Sequence, residues 1–223
     1  MKKFLSIAAC VLALTMMVTG AAFAEDGGFY ASIKAGGSFL DASKTGSNNA
    51  TGTGASSKFK TDSAFVVGGA VGYDWMGSDL PIRTELEYMY HDDFKYQYSD
   101  SNATLTNKIN LQTVMLNGYW DFHNSSSFTP YINGGVGMAW VNEKYSASST
   151  LTAPSSSTTT NFAANIGAGV GWSLTESVIL DLAYRYDYYG NGKKVTATGT
   201  NSVTSQIKDI ATHNVLLGLR YNF

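Results

Sequence analysis

The last residues of the chain alternate between apolar side chains and side chains that are mostly polar or small. The apolar register contains Val215, Leu217, Leu219, Tyr221 and Phe223. The other register contains Asn214, Leu216, Gly218, Arg220 and Asn222. Because successive side chains of a β-strand point to opposite faces, this segment predicts a strand that separates an apolar medium from a polar one. A bilayer on one side and a barrel lumen on the other would satisfy both faces.

The amino terminus has the three parts of a secretory signal peptide. Lys2 and Lys3 form a basic start, residues 4–19 are apolar, and residues 22–24 form an A-x-A site, which predicts cleavage between Ala24 and Glu25. The apolar segment is short and is followed at once by polar residues, which disfavours a membrane-anchoring helix. Cleavage before Cys10, as in a lipoprotein, would leave too short an apolar segment. We therefore predict a signal peptide at residues 1–24 and a mature domain at residues 25–223.

Composition limits the mature domain to few classes. Loss of Lys2 and Lys3 takes the formal net charge from −2 to −4, which argues against a nucleic-acid partner. Cys10, the single cysteine, leaves with the signal peptide, so no disulfide within the mature chain and no cysteine metal site are expected. The mature sequence also lacks an apolar run long enough for a spanning helix. Since only helices and closed barrels satisfy every backbone group in lipid, a membrane protein of this composition is predicted to be a barrel.

Eight segments have the length of tilted spanning strands. They are residues 29–40, 62–75, 81–91, 109–122, 128–142, 161–174, 178–189 and 207–223. Long polar segments, at residues 41–61, 92–106, 143–160 and 190–206, alternate with short turns at residues 76–79, 123–127 and 175–177. The pattern predicts an all-β fold, an eight-stranded antiparallel up-and-down transmembrane β-barrel with four long extracellular loops and three short periplasmic turns. A bulge is expected in the less regular upper part of the fourth strand.

Tryptophans mark the predicted membrane boundaries. Trp75, Trp120 and Trp172 each precede a short turn, where an interfacial girdle needs an aromatic ring, and Trp140 lies near the opposite rim. The outer girdle is predicted to contain Tyr88, Tyr90, Tyr186 and Tyr188. A soluble sandwich could also bury aromatic residues, but it does not explain outward tryptophans at three equivalent positions.

Three segments besides the signal peptide carry a family resemblance. They are residues 117–122 (NGYWDF), residues 129–137 (TPYINGGVG) and residues 219–223 (LRYNF). With them, the chain resembles the small eight-stranded outer-membrane barrels of the OmpA transmembrane-domain, OmpX and opacity-protein type. The resemblance implies a monomer in the outer membrane of a Gram-negative bacterium, surrounded by outer-membrane lipid. It also implies delivery to the barrel-assembly machinery, with Leu219, Tyr221 and Phe223 as the carboxy-terminal sorting signal.

Charged residues in the inward register are the best candidates for an internal site. The cations are Lys34, Arg83, Arg185 and Arg220, and the carboxylates are Glu85, Glu87, Asp181 and Asp187. An eight-stranded barrel is just wide enough for side chains to fill it, so these groups must pair or remain near trapped water. One hypothesis is a plugged lumen with structural ion pairs. The other is a narrow pore gated by partner exchange, which the resemblance to OmpA keeps open.

No catalytic or metal-binding constellation stands out. The histidines are His91, His123 and His213, and none has a nucleophile at a suggestive spacing; the His-x-Ser arrangement of the lipid A deacylase barrel is absent after His213. His91, Asp92 and Asp93 are adjacent strand residues that point in opposite directions, so no metal site is expected. We predict a protein without enzymatic activity or cofactor. Its expected role is structural or surface-interacting, of the adhesin or antigen type, carried by loops that bind an unspecified extracellular ligand. A low-conductance channel is the second hypothesis.

Overall fold

The computed structural model describes residues 27–48, 63–100, 103–148, 156–192, 195–197 and 203–223. The predicted signal peptide and the Ala24–Glu25 cleavage site lie outside these residues. The strands are β1 (Gly28–Asn48), β2 (Ser63–Asp74), β3 (Ile82–Asp100), β4 (Ala103–Asp121), β5 (Phe128–Ser148), β6 (Ser156–Ser173), β7 (Val178–Tyr188), β8 (Val195–Ala197) and β9 (Val203–Asn222). A 3-10 turn, Met76–Ser78, connects β2 to β3. No helix in the described part of the chain has the length and apolarity of a membrane span.

The strands form one closed antiparallel sheet. Neighbours in sequence are neighbours in the sheet from β1 to β7, β7 pairs with β9, and β9 pairs with β1 to close the wall. The short β8 pairs with β9 beyond the end of β7 and so continues the wall at that position. The predicted eight-stranded antiparallel barrel is thereby confirmed.

Six of the strands extend further than the sequence predicts, all at the same end of the barrel, whereas β2 and β7 stay within their predicted bounds. The predicted third strand ends at residue 91, whereas β3 continues to Asp100 and pairs with β4 down to Ala103. In the same way, β5 continues to Ser148 and β6 begins at Ser156. The predicted strand boundaries at this end are wrong because backbone pairing continues through residues that are polar on both faces. Threonine and tyrosine, which are frequent there, also fit a pleated strand well.

Two β-bulges lie near this end. On β3, Asp92 and Asp93 stand opposite the single residue Asn110 of β4, so the extra residue is on β3 rather than on the fourth strand, where a bulge was expected. On β9, Asp209 and Ile210 stand opposite one residue of β1, and Asp209 has a positive φ of 51°. Each bulge shifts the inside–outside alternation by one residue. Phe94 consequently faces the interior and is fully buried.

Below the bulges, the alternation follows the sequence pattern. Exposed outward side chains include Phe65, Leu86, Leu116, Leu182 and Leu217. The inward side chains form two layers. The layer toward the long-strand end is an apolar plug, made of Phe94, Ile109, Leu111, Met115, Ala139, Val141, Ala163, Tyr189 and Ile210, each at most 1% exposed. The layer toward the short turns is polar and charged, and it contains the candidate site.

Candidate functional site

Lys34 lies at the centre of the charged layer. Its ammonium group, on β1, donates to Glu85 Oε1 at 2.5 Å and to Glu87 Oε2 at 2.7 Å, both on β3. The hydroxyl of Tyr119, on β4, is 3.1 Å from the same ammonium and donates to Glu85 Oε1 at 2.9 Å. Strand order explains this meeting of residues, because the inward positions of β1, β3 and β4 converge across a narrow lumen.

Arg185 extends the network toward the other side of the barrel. Its Nη1 donates to Glu87 Oε1 at 2.7 Å, and its Nε donates to Asp187 Oδ2 at 2.9 Å. Asp187 also accepts a hydrogen bond from the Asn214 amide. Glu87 is therefore shared between Lys34 and Arg185, and it is completely buried. Each of these charges has a partner of opposite sign, which is the condition for charges to persist in a dry interior.

Two further ion pairs lie closer to the short turns. Arg83 forms a two-point contact with Asp121, through Nε to Oδ2 and through Nη2 to Oδ1 at 2.8 Å. The rings of Tyr119 and Tyr131 lie beside the Arg83 guanidinium, with centroids 4.5 and 5.1 Å away, a geometry suited to cation–π attraction. Arg220 Nε donates to Asp181 Oδ2 at 3.3 Å.

All eight predicted charges therefore lie in the interior and take part in ion pairs, but the predicted set omits two buried carboxylates, Asp121 and Glu143. Asp121 is the last residue of β4, in the inward register between the outward Trp120 and Phe122. Its register alone could have identified it. With Asp121 included, five carboxylates and four cations form this ion-paired layer, which has an excess of one formal negative charge rather than the balance expected from sequence. Glu143, 1% exposed, is a further interior carboxylate, nearer the long-strand end.

The space left among these side chains is small. One cavity of about 20 Å³ lies between Lys34, Arg83, Asp181, Arg185 and Arg220. A volume of that order holds about one water molecule. Arg185 Nη2 and Asp181 Oδ1 have no protein hydrogen-bond partner, and both residues line this cavity. The described lumen is thus packed at this level, and the apolar plug closes it above.

The three histidines lie in three separate environments. His91 is buried at the boundary between plug and network, with Nε2 3.3 Å from the Tyr189 hydroxyl. His123 is exposed beside a short turn. His213 is on the exterior, where Nδ1 is 2.6 Å from the Tyr184 hydroxyl and Nε2 is 3.9 Å from Asp41.

This exterior contact at His213 does not form a nucleophile–base pair. Its hydroxyl is a phenol rather than that of Ser or Thr, and Asp41 is beyond hydrogen-bond distance. Within the described ranges, no group of three His, Cys, Asp or Glu side chains could hold a metal ion. The described residues therefore give no positive indication of catalysis.

Aromatic rings surround the exterior at the short-turn end. Trp75, Trp120 and Trp172 are 38%, 50% and 45% exposed. Phe29 packs edge-on against Tyr73, and Tyr221 packs in the same way against Phe223. Leu219 and Tyr221, predicted to belong to the sorting signal, are both exposed on this outer face. An apolar exterior bordered by aromatic rings around a polar interior is the arrangement of a β-barrel in lipid.

These features define a transmembrane β-barrel of the small, filled type. The chain belongs to the family described as outer membrane protein beta-barrel domain, whose model matches residues 7–223. Its place is therefore the outer membrane of a Gram-negative bacterium, among outer-membrane lipids, and the resemblance to small outer-membrane barrels is confirmed.

Relatives and solved structures agree with the family. The outer membrane protein PagN of Salmonella typhimurium is 29% identical over 242 aligned positions that cover all of both chains. A candidate adhesin of Rickettsia conorii is 28% identical over 252 positions, again covering all of both. The crystal structure of Neisserial surface protein A matches with a TM-score of 0.59 at 20% identity, over 89% of this chain and 100% of that one. A major outer membrane protein from Thermus thermophilus matches with a TM-score of 0.56 at 13% identity, over 87% and 99%.

Proposed function

We propose that this protein is a surface-interaction protein of the adhesin type, and that its outward end binds the partner while its lumen serves as structural core. The observation that carries the proposal is the filled interior. Ion pairs and aromatic rings occupy the lower layer, and the apolar plug occupies the layer above. A polar path through the described interior would have to displace both layers.

The length of the wall supports an outward binding surface. The 21 residues of β5 extend about 50 Å along the barrel axis at the usual strand rise and tilt. The apolar band of such barrels is only about 25 Å tall. About half of the wall would therefore stand outside the membrane. It would do so on one side only, because the strands that exceed their predicted ends all do so at the same end of the barrel. Outer-membrane barrels keep their short turns in the periplasm, so the extended wall would face the cell exterior.

The names of the relatives support the same class of function. PagN is described as an outer membrane protein, and several Rickettsia relatives at 26–28% identity are named as candidate adhesins. The outward end of this chain is rich in Ser, Thr and Asn, a composition that fits many partners. A binding role at positions held by a rigid scaffold is physically reasonable.

Biogenesis completes the proposal. We propose that residues 1–24 are removed between Ala24 and Glu25, and that the barrel-assembly machinery recognises Leu219, Tyr221 and Phe223. The folded barrel would then act as a monomer without catalytic activity or cofactor. The second hypothesis is a low-conductance channel that is gated by Lys34, Glu85 and Arg185. The apolar plug argues against it.

Shortening one outward hairpin tests the proposal. Removal of residues 149–155 leaves the paired ends of β5 and β6 intact, whereas removal of residues 143–160 would also remove paired strand residues. We expect bacteria that display the shortened protein to lose adherence to cultured epithelial cells, with surface abundance and heat-modifiable gel migration unchanged. The matched control shortens the periplasmic turn at residues 124–126 and should retain adherence. If shortening each outward hairpin in turn leaves adherence intact, the proposal is wrong.

A further inference from the structure

The exterior of the neighbouring strands β3 to β6 is ordered in chemical layers. Nearest the bilayer centre, Leu86, Leu116 and Val136 form an aliphatic row across the strands. The next two rows contain Tyr88, Val114, Met138 and Phe162, then Tyr90, Gln112, Trp140 and Thr160. Asn110, Asn142 and Thr158 follow. This order, from aliphatic to aromatic to amide, follows the polarity of a bilayer from its core to its headgroups.

The row beyond the amides is cationic. Lys108 on β4 is the register partner of Lys95 on β3 and of Lys144 on β5. Lys108 and Lys144 face outward, because their neighbours Ile109 and Glu143 are buried in the interior. Lys144 is exposed and Lys108 is half-buried. Among the described residues, no carboxylate forms an ion pair with Lys108 or Lys144.

Lys108 and Lys144 are like charges on adjacent strands and repel each other. Cross-strand partners lie about 5 Å apart, and like charges placed directly opposite destabilise a sheet. The arrangement becomes favourable when an anion with several oxygens neutralises both lysines together. The row therefore has the properties of an anion site rather than of a neutral solvated surface.

The depth of the row indicates which anion is in reach. Lys108 is twelve positions along β4 from Trp120, which belongs to the aromatic girdle at the short turns. At the usual rise and tilt, that separation is about 30 Å along the barrel axis, slightly more than the apolar band of about 25 Å. The lysines would therefore lie just beyond the outer edge of the hydrocarbon, where lipid phosphates are found. Their flexible stems can also reach along the wall toward the headgroups.

We propose that Lys108 and Lys144 bind the phosphate groups of a phosphorylated glycolipid in the outer leaflet. A lipid is favoured over a soluble polyanion because the row lies on the side wall, directly above the Tyr90 and Trp140 row, rather than at the hairpin tips. The amide of Asn142 lies between the two rows; its Oδ1 accepts from Thr158, and its nitrogen offers donors to sugar hydroxyls. The site is separate from the proposed partner-binding tips and anchors the barrel to its lipid.

The test compares lipid enrichment around purified barrels. Wild type and the K108Q/K144Q variant are placed in nanodiscs of phosphatidylcholine that contain a small fraction of diphosphorylated lipid A or of the same lipid without its phosphates. Native mass spectrometry then counts the glycolipid retained. We expect wild type to enrich the diphosphorylated form and the double variant to bind it about thirty-fold more weakly, since a lysine near a membrane surface contributes about five-fold. The Lys208→Gln variant, on β9 outside the row, should behave as wild type.

Two further measurements decide the source of the anion and the role of charge. K108R/K144R should keep the enrichment, because arginine also binds phosphate. Binding of soluble heparin to barrels in pure phosphatidylcholine nanodiscs is measured for the same variants. If K108Q/K144Q loses heparin binding but keeps lipid enrichment, the row binds a soluble polyanion and the proposal is overturned. Equal enrichment of both lipids by wild type, or no change in the double variant, also overturns it.

Discussion

Replacement of Arg185 by Met is the sharpest test of the interior ion pairs. The guanidinium of Arg185 contacts Glu87 at 2.7 Å and Asp187 at 2.9 Å, and its side chain is only 3% exposed. In the variant, Glu87 keeps the Lys34 ammonium at 2.7 Å, but Asp187 keeps only the neutral amide of Asn214. Within the ion-paired layer, the excess of negative charge rises from one to two, and Asp187 becomes a buried carboxylate without a cation.

The expected loss follows from these contacts. Two unit charges 2.9 Å apart attract each other by about 6 kcal/mol at an effective dielectric constant of about 20. Part of this attraction is offset because the guanidinium no longer has to be desolvated. Breaking one partner of a buried pair typically costs about 3–5 kcal/mol, and we expect Arg185→Met to lower the free energy of unfolding by that amount.

The matched control neutralises the stranded carboxylate. Adding Asp187→Asn to Arg185→Met returns the ion-paired layer to one excess negative charge and should recover about 2 kcal/mol. Asp187→Asn alone should cost less than Arg185→Met, because Arg185 retains Glu87. The assay is urea unfolding of refolded barrels in lipid vesicles, followed by tryptophan fluorescence and by heat-modifiable gel migration. A loss below 1 kcal/mol for Arg185→Met, or a double variant less stable than the single one, would refute the reasoning.

Three further substitutions test packing and the lipid face by the same unfolding assay. Gly72→Ala should lower stability by about 1–3 kcal/mol, because its new Cβ would lie 2.3 Å from the Tyr30 ring. The control, Gly118→Ala, should be neutral, because the atom nearest to its new Cβ is 4.0 Å away. Leu116→Lys should cost about 2–4 kcal/mol if this 59% exposed side chain faces the hydrocarbon, and Leu116→Gln should cost less. Phe94→Ala should cost about 3–5 kcal/mol by opening a cavity in the apolar plug; a neutral result would show that the plug is loosely packed.

Sequence alternation was sufficient to predict the inner and outer faces of the barrel below the bulges. The sequence of residues 82–91 alternates with a period of two because successive side chains face lipid and lumen, which require opposite polarity. The same constraint placed Trp75, Trp120 and Trp172 on the exterior and the charged residues inside.

The upper half of the barrel could not be predicted in this way. Beyond the bulges, successive residues of the sequence are mostly polar, so alternation fades while backbone pairing continues. Residues 92–100 therefore resembled a loop. The bulge at Asp92 and Asp93 reverses the register and sends Phe94 inward, and no local sequence signal marks such a reversal. The tyrosines around Arg83 were missed for another reason, because their meeting depends on which strands face each other across the lumen.

Single-channel recording tests the central claim, that the lumen is packed core and the outward surface carries the function. Refolded protein comprising residues 25–223 is inserted into a planar bilayer beside the Glu85→Ala and Arg185→Ala variants, with insertion verified by heat-modifiable gel migration. The account predicts a silent wild type, because the plug and the ion pairs fill the described interior. Discrete openings in wild type that change with either substitution would contradict it and would make the interior charges a gate.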